Sequence, residues 1–145
     1  MSRATVSRGL LGAAALLLVL GAAIHAAAFA KVGPRFDAAE LSPFLIGAAE
    51  ALWLADSSNL FVLGAALGLV AARPGLANPL VVALLAAAPL ASAALIYHFV
   101  GSFFAGHLML GAAVLMLASA LLRRAERECS TGALRRGLEE SATRA

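Results

Sequence analysis

The chain has 145 residues, of which 62% are hydrophobic and 13% are charged, and its formal net charge is +3. In soluble domains about a quarter of the residues are charged, so this composition excludes an ordinary soluble protein and indicates a membrane protein. The single cysteine, Cys129, excludes an intramolecular disulfide and a Cys-x-x-Cys redox motif. Most arginines lie near the ends of apolar runs, which is typical of membrane topology rather than of nucleic-acid binding.

Four apolar stretches predict four transmembrane helices, and no alternating pattern indicates a β-barrel. The stretches cover about residues 10–30, 44–72, 80–100 and 103–122, and each can cross about 30 Å of hydrocarbon. We therefore predict an all-α, polytopic membrane protein in which residues 1–122 form a four-transmembrane-helix antiparallel bundle. Residues 123–145 are then a charged cytoplasmic tail.

The first stretch allows two interpretations. Arg3 and Arg8 precede the apolar run, which ends in Ala28-Phe29-Ala30, and this order is also found in cleaved signal peptides. We favour a retained helix, because the run is long for a signal peptide and further spans follow. Cleavage would remove His25.

The connection to the second stretch, residues 31–42, contains charges of both signs and Gly33-Pro34. This composition predicts a segment in water or among the lipid head groups. Ser42-Pro43 then predicts a helix start, because serine caps free backbone amides and proline is tolerated in the first turn.

The second stretch carries an unusual number of polar or interfacial side chains in its first half, namely Glu50, Trp53, Asp56, Ser57, Ser58 and Asn59. Acidic residues inside a membrane are costly and normally face a protein interior or a polar cavity. At 100° per residue these side chains cover a wide arc, so we expect this helix to be central in the bundle or to border a polar cavity. Further along, Gly64-x-x-x-Gly68 permits a close approach of another helix.

Asn78-Pro79 predicts the start of the third helix, and Pro89 should kink it, because proline cannot donate a backbone hydrogen bond. Gly101-Ser102 is the only break before the fourth helix. The last two helices should therefore form a tight antiparallel hairpin.

The distribution of positive charge predicts the orientation. Nine arginines lie on the side that holds the termini, against Lys31 and Arg35 on the other, so the positive-inside rule places both termini in the cytoplasm. Lys31 is the only lysine, a bias that we attribute to a GC-rich bacterial genome, and we expect a multi-pass protein of the bacterial inner membrane. The histidines and membrane acids then fall in the outer half, and we expect nothing comparable in the inner half.

This convergence predicts an outward-facing polar pocket that binds a small or lipophilic ligand, in an enzyme, a carrier or a binding protein. The candidates for acid–base chemistry are Asp56, His98, His107, Glu50 and Tyr97. The candidates for ligand binding are Trp53, Ser57, Asn59 and His25.

Two alternatives stay open. Histidines and acids suit a transition metal or a haem, but no His-x-x-x-His pair occurs on one helix, so the sequence does not predict which metal or cofactor is bound. In the second alternative the polar residues join helices or sit at the interface, and the protein is a non-catalytic subunit or scaffold in a homo-oligomer or a larger membrane complex. Asp56 fits this alternative least well, because an acid at that depth needs a partner.

Overall fold

The computed structural model describes residues 2–76 and 78–143, and within these ranges the regular structure is entirely helical. The helices are α1 (Arg3–Asp37), α2 (Pro43–Ala72), α3 (Pro79–Leu85), α4 (Ala87–Phe99) and α5 (Phe104–Thr143), with a short 3-10 turn at Pro74–Leu76. Helices α3 and α4 together make one span, so the described residues contain four spans that are long and apolar enough to cross a membrane. The predicted all-α bundle of four membrane helices is confirmed.

Side-chain caps fix the helix starts that the sequence predicts. The Ser42 hydroxyl accepts a hydrogen bond from the backbone N–H of Leu45 at 3.4 Å, with Pro43 as the first helical residue. The Asn78 side chain accepts from the N–H of Leu80 at 3.0 Å and opens α3 in the same way. These caps satisfy amides that have no partner inside their own helix.

Helix α1 continues further than its apolar run, because the Gly33-Pro34 pair does not end it. Pro34 lies in the last turns and cannot donate to the carbonyl of Ala30, but the helix resumes its bonding with the N–H of Ala38 on the Pro34 carbonyl at 3.2 Å. Gly33 is buried beneath the ring of Phe29, which lies 3.5 Å from where a Cβ would stand. The loop to α2 is therefore only residues 38–42, and the segment 31–37 that we expected to be a connection is helical.

Helix α5 also continues beyond the end of its apolar part. It runs to Thr143, so residues 123–143 of the charged tail continue the last helix. Arg124 and Glu128, one turn apart in this extension, form an exposed ion pair at 2.9 Å.

The helices pack in the order α2, α1, α5 and then the α3–α4 pair. Helix α1 contacts both α2 and α5, and α3 and α4 lie against α5. Helix α2 packs against α1 and makes at most slight contact with the other described helices, so it lies at the edge of the bundle and not at its centre. The end at which α1 begins is called the N-terminal end below, and the end that holds the α1–α2 loop and the α4–α5 turn is called the hairpin end.

Small residues set the spacing of the central helices. The core consists mainly of alanine, leucine and methionine side chains, including Leu11, Ala14, Leu18, Leu67, Met109, Ala112 and Met116. The tightest approach is at Gly64 of α2, where a Cβ would stand 2.8 Å from Cγ2 of Val19 and 3.0 Å from the carbonyl oxygen of Ala15. The close approach that the Gly64-x-x-x-Gly68 pattern predicts is confirmed at Gly64, whereas the corresponding distance at Gly68 is an ordinary 3.9 Å to the Ala15 side chain.

The second half of the bundle contains the predicted hairpin, and near Pro89 the third span is interrupted where we predicted a kink. The third span is broken at Ala86, one turn before the buried Pro89. Gly101 turns the chain from α4 into α5 with a φ of 85°, a left-handed conformation that costs glycine little, and its N–H bonds to the carbonyl of Ile96.

Gly64→Ala should lower the free energy of unfolding by about 1–3 kcal/mol, because the added methyl meets backbone atoms that no side-chain rotation can move. An unfolding titration in detergent micelles, followed by circular dichroism, measures this. Gly47→Ala on the same helix is the matched control, since a Cβ there meets nothing within 4 Å. Equal stability of the two variants would contradict the assigned contact.

Candidate functional site

The predicted polar residues that come together most closely lie between α1 and α2 at the hairpin end. His25 of α1 meets Trp53, Asp56 and Ser57 of α2, and this group is called the His25 cluster below. The helices are antiparallel, so the contact at Gly64 places His25 level with this part of α2. The cluster thus unites three of the predicted ligand-binding residues with the leading acid–base candidate.

Trp53 is fixed in place by three contacts. Its indole Nε1–H donates to the backbone carbonyl of His25 at 2.9 Å. Its ring stacks on the His25 imidazole with centroids 4.2 Å apart and planes 8° from parallel, and it meets Phe36 edge-on at 6.2 Å. Half-buried in this way, Trp53 acts as a wall of the cluster and joins the two helices, which is more than an interfacial anchor does.

The hydrogen bonds around His25 favour one tautomer. Nδ1 of His25 lies 2.8 Å from the Ser57 hydroxyl oxygen, and that hydroxyl also lies 3.1 Å from the carbonyl of Trp53. A hydroxyl has one hydrogen to donate, and if it serves the Trp53 carbonyl, Nδ1 must carry a proton and donate to Ser57. The Asp56 carboxylate, 4.0 Å from the same nitrogen, also favours that proton. Nε2 is then free to accept a hydrogen bond.

This arrangement differs from a Ser-His-Asp triad. In a triad the serine and the carboxylate contact opposite nitrogens of the imidazole, whereas here both Ser57 and Asp56 approach Nδ1. The Ser57 hydroxyl donates its hydrogen to the backbone carbonyl of Trp53 and not to His25. Without a base that takes this hydrogen, the hydroxyl is not activated as a nucleophile. The geometry suits hydrogen-bonded binding better than acyl transfer.

A groove of about 350 Å³ runs along the surface between α1 and α2 beside the cluster. Its lining is mostly small and apolar and consists of Val19, Ala22, Ala23, Ala26, Ser57, Ser58, Phe61 and Val62. Ser57 belongs both to the groove and to the His25 cluster, and it therefore connects the apolar groove with the polar cluster.

The remaining acid–base candidates lie elsewhere. Tyr97 of α4 packs edge-on against His107 of α5, with centroids 5.5 Å apart, and its ring covers Gly106. The Nδ1–H of His107 donates at 3.0 Å to the carbonyl of Phe103, the residue directly before α5. His98 is exposed and contacts the neighbouring Phe99 ring.

Within the described ranges, no hydrogen bond, ion pair or ring contact joins Tyr97 or His107 to the His25 cluster. Helices α1 and α5 stand between α2 and α4 in the packing order, and this separates Tyr97 from the residues that α2 contributes to the cluster. Glu50 is half-buried on α2, and Asn59 is exposed there. Six of the nine predicted residues therefore form two groups, whereas His98, Glu50 and Asn59 belong to neither, and all their roles remain predictions.

A third polar cluster lies at the N-terminal end, where the sequence analysis expected nothing comparable. The hydroxyls of Ser7 and Ser119 lie 2.9 Å apart, and each donates to the backbone carbonyl of the other residue, at 3.2 and 3.0 Å. Nε of Arg123 donates to the Ser7 hydroxyl at 2.7 Å. Both serines are fully buried, and Arg123 is 8% exposed.

We expected no histidines or acids like those of the hairpin end here, and none takes part in this cluster, but the hydrogen bonds of the two serines with Arg123 were not predicted. The available signal was a serine in an otherwise alanine-rich and leucine-rich part of the last span, at Ser119, and one in the first turns of α1, at Ser7. These positions are 112 residues apart, and spacing along the chain does not indicate that they meet.

No group of three or more histidine, cysteine, aspartate or glutamate side chains that could hold a metal ion occurs among the described residues. His25 and Asp56, which approach to 4.0 Å, offer two ligands, whereas protein metal sites ordinarily use three or four.

Trp53 is the only tryptophan, so its fluorescence reports on the cluster. His25→Ala should increase the quenching of this emission by acrylamide, because it uncovers the indole face on which the imidazole stacks. A quenching titration in detergent micelles measures the change. His98→Ala should leave the quenching unchanged, since that ring contacts Phe99 and not Trp53; equal quenching of the natural protein and of His25→Ala would contradict the stacking.

Ser7→Ala should lower the free energy of unfolding by about 1–3 kcal/mol, because it leaves Nε of Arg123 without an acceptor. Ser119→Ala should cost less, about 0.5–1.5 kcal/mol, because it removes a hydroxyl and leaves that acceptor in place. Unfolding titrations in micelles give both values. The control is Ser58→Ala, where an exposed hydroxyl bonds only to its own helix; equal losses in all three variants would refute the buried cluster.

We compared the chain with known protein families, proteins and structures. No protein-family model, curated protein or solved structure matches the chain. The chemistry of the His25 cluster therefore has to be inferred from its own side chains.

Proposed function

We propose that this small integral membrane protein binds an amphiphilic molecule from the bilayer in the groove between α1 and α2. The apolar part of the ligand lies along the groove, and its polar head meets the His25 cluster. The observation that carries the proposal is the position of Ser57, which lines the groove and hydrogen-bonds to His25. A volume of about 350 Å³ is at the lower end of the range of ligand pockets, about 300–1,000 Å³.

The cluster indicates the chemistry of the head. With Nδ1 protonated, His25 presents Nε2 as an acceptor, and Asp56 presents carboxylate oxygens from a side chain that is 53% exposed. Acceptors recognise donors, so the preferred head group carries hydroxyl or amino hydrogens. Binding is favoured over covalent catalysis because Ser57 is not activated, and a carrier would use the same site.

The orientation belongs to the same proposal. We place both termini in the cytoplasm of a bacterium and the protein in its inner membrane, which puts the groove in the outer half of the bilayer. The arginines on the terminal side support this by the positive-inside rule.

A second candidate function, a subunit of a homo-oligomer or of a larger membrane complex, is favoured by Asn59. Its amide is exposed on α2 with no hydrogen bond to another described residue, and α2 is an edge helix. An amide in hydrocarbon gains by bonding to another helix. In this role a second chain, and not a ligand, packs on α2. The experiment below distinguishes the two.

A long-chain fatty alcohol with a diazirine in its tail should photolabel the protein in liposomes, and peptide mapping should place the label on the groove residues of α1 or α2. Ala26→Phe should reduce the labelling several-fold, because the ring fills the groove. His25→Gln should reduce it by removing the polar contact, without affecting labelling by a diazirine alkane that has no head.

The matched control is Ala27→Phe, an exposed neighbour outside the groove. Equal labelling of the Ala26 and Ala27 variants would refute the groove as the binding site. A native mass spectrum that shows a dimer without bound alcohol would support the subunit role instead.

A further inference from the structure

Arg123 is held in an unusual environment for an arginine at the end of a membrane span. It follows directly after the apolar part of α5 and packs beside the first turns of α1, with only 8% of its surface exposed. One hydrogen bond, from Nε to Ser7, fixes the guanidinium, and the reciprocal bonds between Ser7 and Ser119 hold that acceptor in place.

The positive charge of Arg123 has no counter-ion among the described residues. Its Nη2 is buried without a hydrogen-bond partner, and no described carboxylate lies within 4.0 Å of the guanidinium. The charges that act on it are Glu126 from the next turn and, with the opposite effect, Arg8 and Arg127. A buried charge needs pairing, and this site contains more positive than negative charge.

The adjacent Arg124 shows the ordinary alternative. Its side chain is 74% exposed and pairs with Glu128 at 2.9 Å. Arg123 and Arg124 thus have the same chemistry and neighbouring positions, but only Arg124 has its charge matched within the described chain.

We propose that Arg123 binds the phosphate of an anionic phospholipid head group at the N-terminal end of the bundle. Arg123 lies where the apolar part of α5 ends, which is the depth of lipid phosphates. Guanidinium groups bind phosphate oxygens through paired hydrogen bonds. The nearby start of α1 adds the positive end of a helix dipole, which also favours an anion.

This site is at the opposite end of the bundle from the groove, so it is independent of the proposed function. It also differs from the general attraction of arginines to anionic membranes, which does not distinguish Arg123 from Arg124. The serine pair gives the site its specificity, because it orients the guanidinium.

The test is thermal unfolding of the full chain in a non-ionic detergent, with phosphatidylglycerol, phosphatidylcholine or inorganic phosphate added. Phosphatidylglycerol should raise the Tm of the natural protein by about 2–4 °C more than phosphatidylcholine does. Arg123→Gln should remove most of this difference and Arg124→Gln should retain it. Equal effects of the two substitutions would overturn the proposal, because general electrostatics would then suffice.

Two further measurements test the source of the phosphate and cover the case in which Arg123→Gln does not fold. Inorganic phosphate that reproduces the full increment would overturn the lipid as the source of the phosphate. If Arg123→Gln does not fold, Arg123→Lys keeps the charge but lacks the paired donors, and native mass spectrometry should show several-fold less bound phosphatidylglycerol than for Arg124→Lys. Equal binding by the two lysine variants would overturn the proposal.

Discussion

The close approach of α1 and α2 at Gly64 is the contact on which the rest of the candidate site depends. With a Cβ excluded at this position, the two backbones come together, and the register between the helices is fixed at Ala15 and Val19. Counting outward from that contact along two antiparallel helices brings His25 opposite Trp53 and Ser57. The groove, the ring stack and the hydrogen bonds of the cluster all follow from this register.

The His25 cluster and the cluster of Ser7, Ser119 and Arg123 differ in how fully their polar groups are hydrogen-bonded. A polar side chain inside a membrane must find a partner on a neighbouring helix. Ser7 and Ser119 do so completely, with each hydroxyl bonded to the other residue's backbone, and this gives a rigid link between α1 and α5. The His25 cluster keeps unused capacity, since Asp56 is 53% exposed. A serine pair whose hydroxyls are both hydrogen-bonded holds two helices together. A cluster with unused hydrogen-bond acceptors can bind a ligand.

Local patterns in the sequence predict much of the fold. Apolar length predicts the four spans, Ser42-Pro43 and Asn78-Pro79 predict two helix starts, and Gly64 predicts a close approach, because each depends on residues that are neighbours in the chain. The extension of α1 past Pro34 was missed, since a proline in the last turns removes only one hydrogen bond and the helix continues around it. Of the candidate site, the sequence indicates the end of the bundle but not the grouping, because that grouping depends on which helices are adjacent.

The packing order determines when the bundle can be completed during synthesis. Helix α2 follows α1 directly and packs on it, so this hairpin can form as soon as both spans have left the ribosome. Helix α1 also needs α5, the last span to be made, to cover its other face and to pair Ser7 with Ser119. Before α5 is made, Ser7 has no partner on that helix, and the packing around α1 is incomplete.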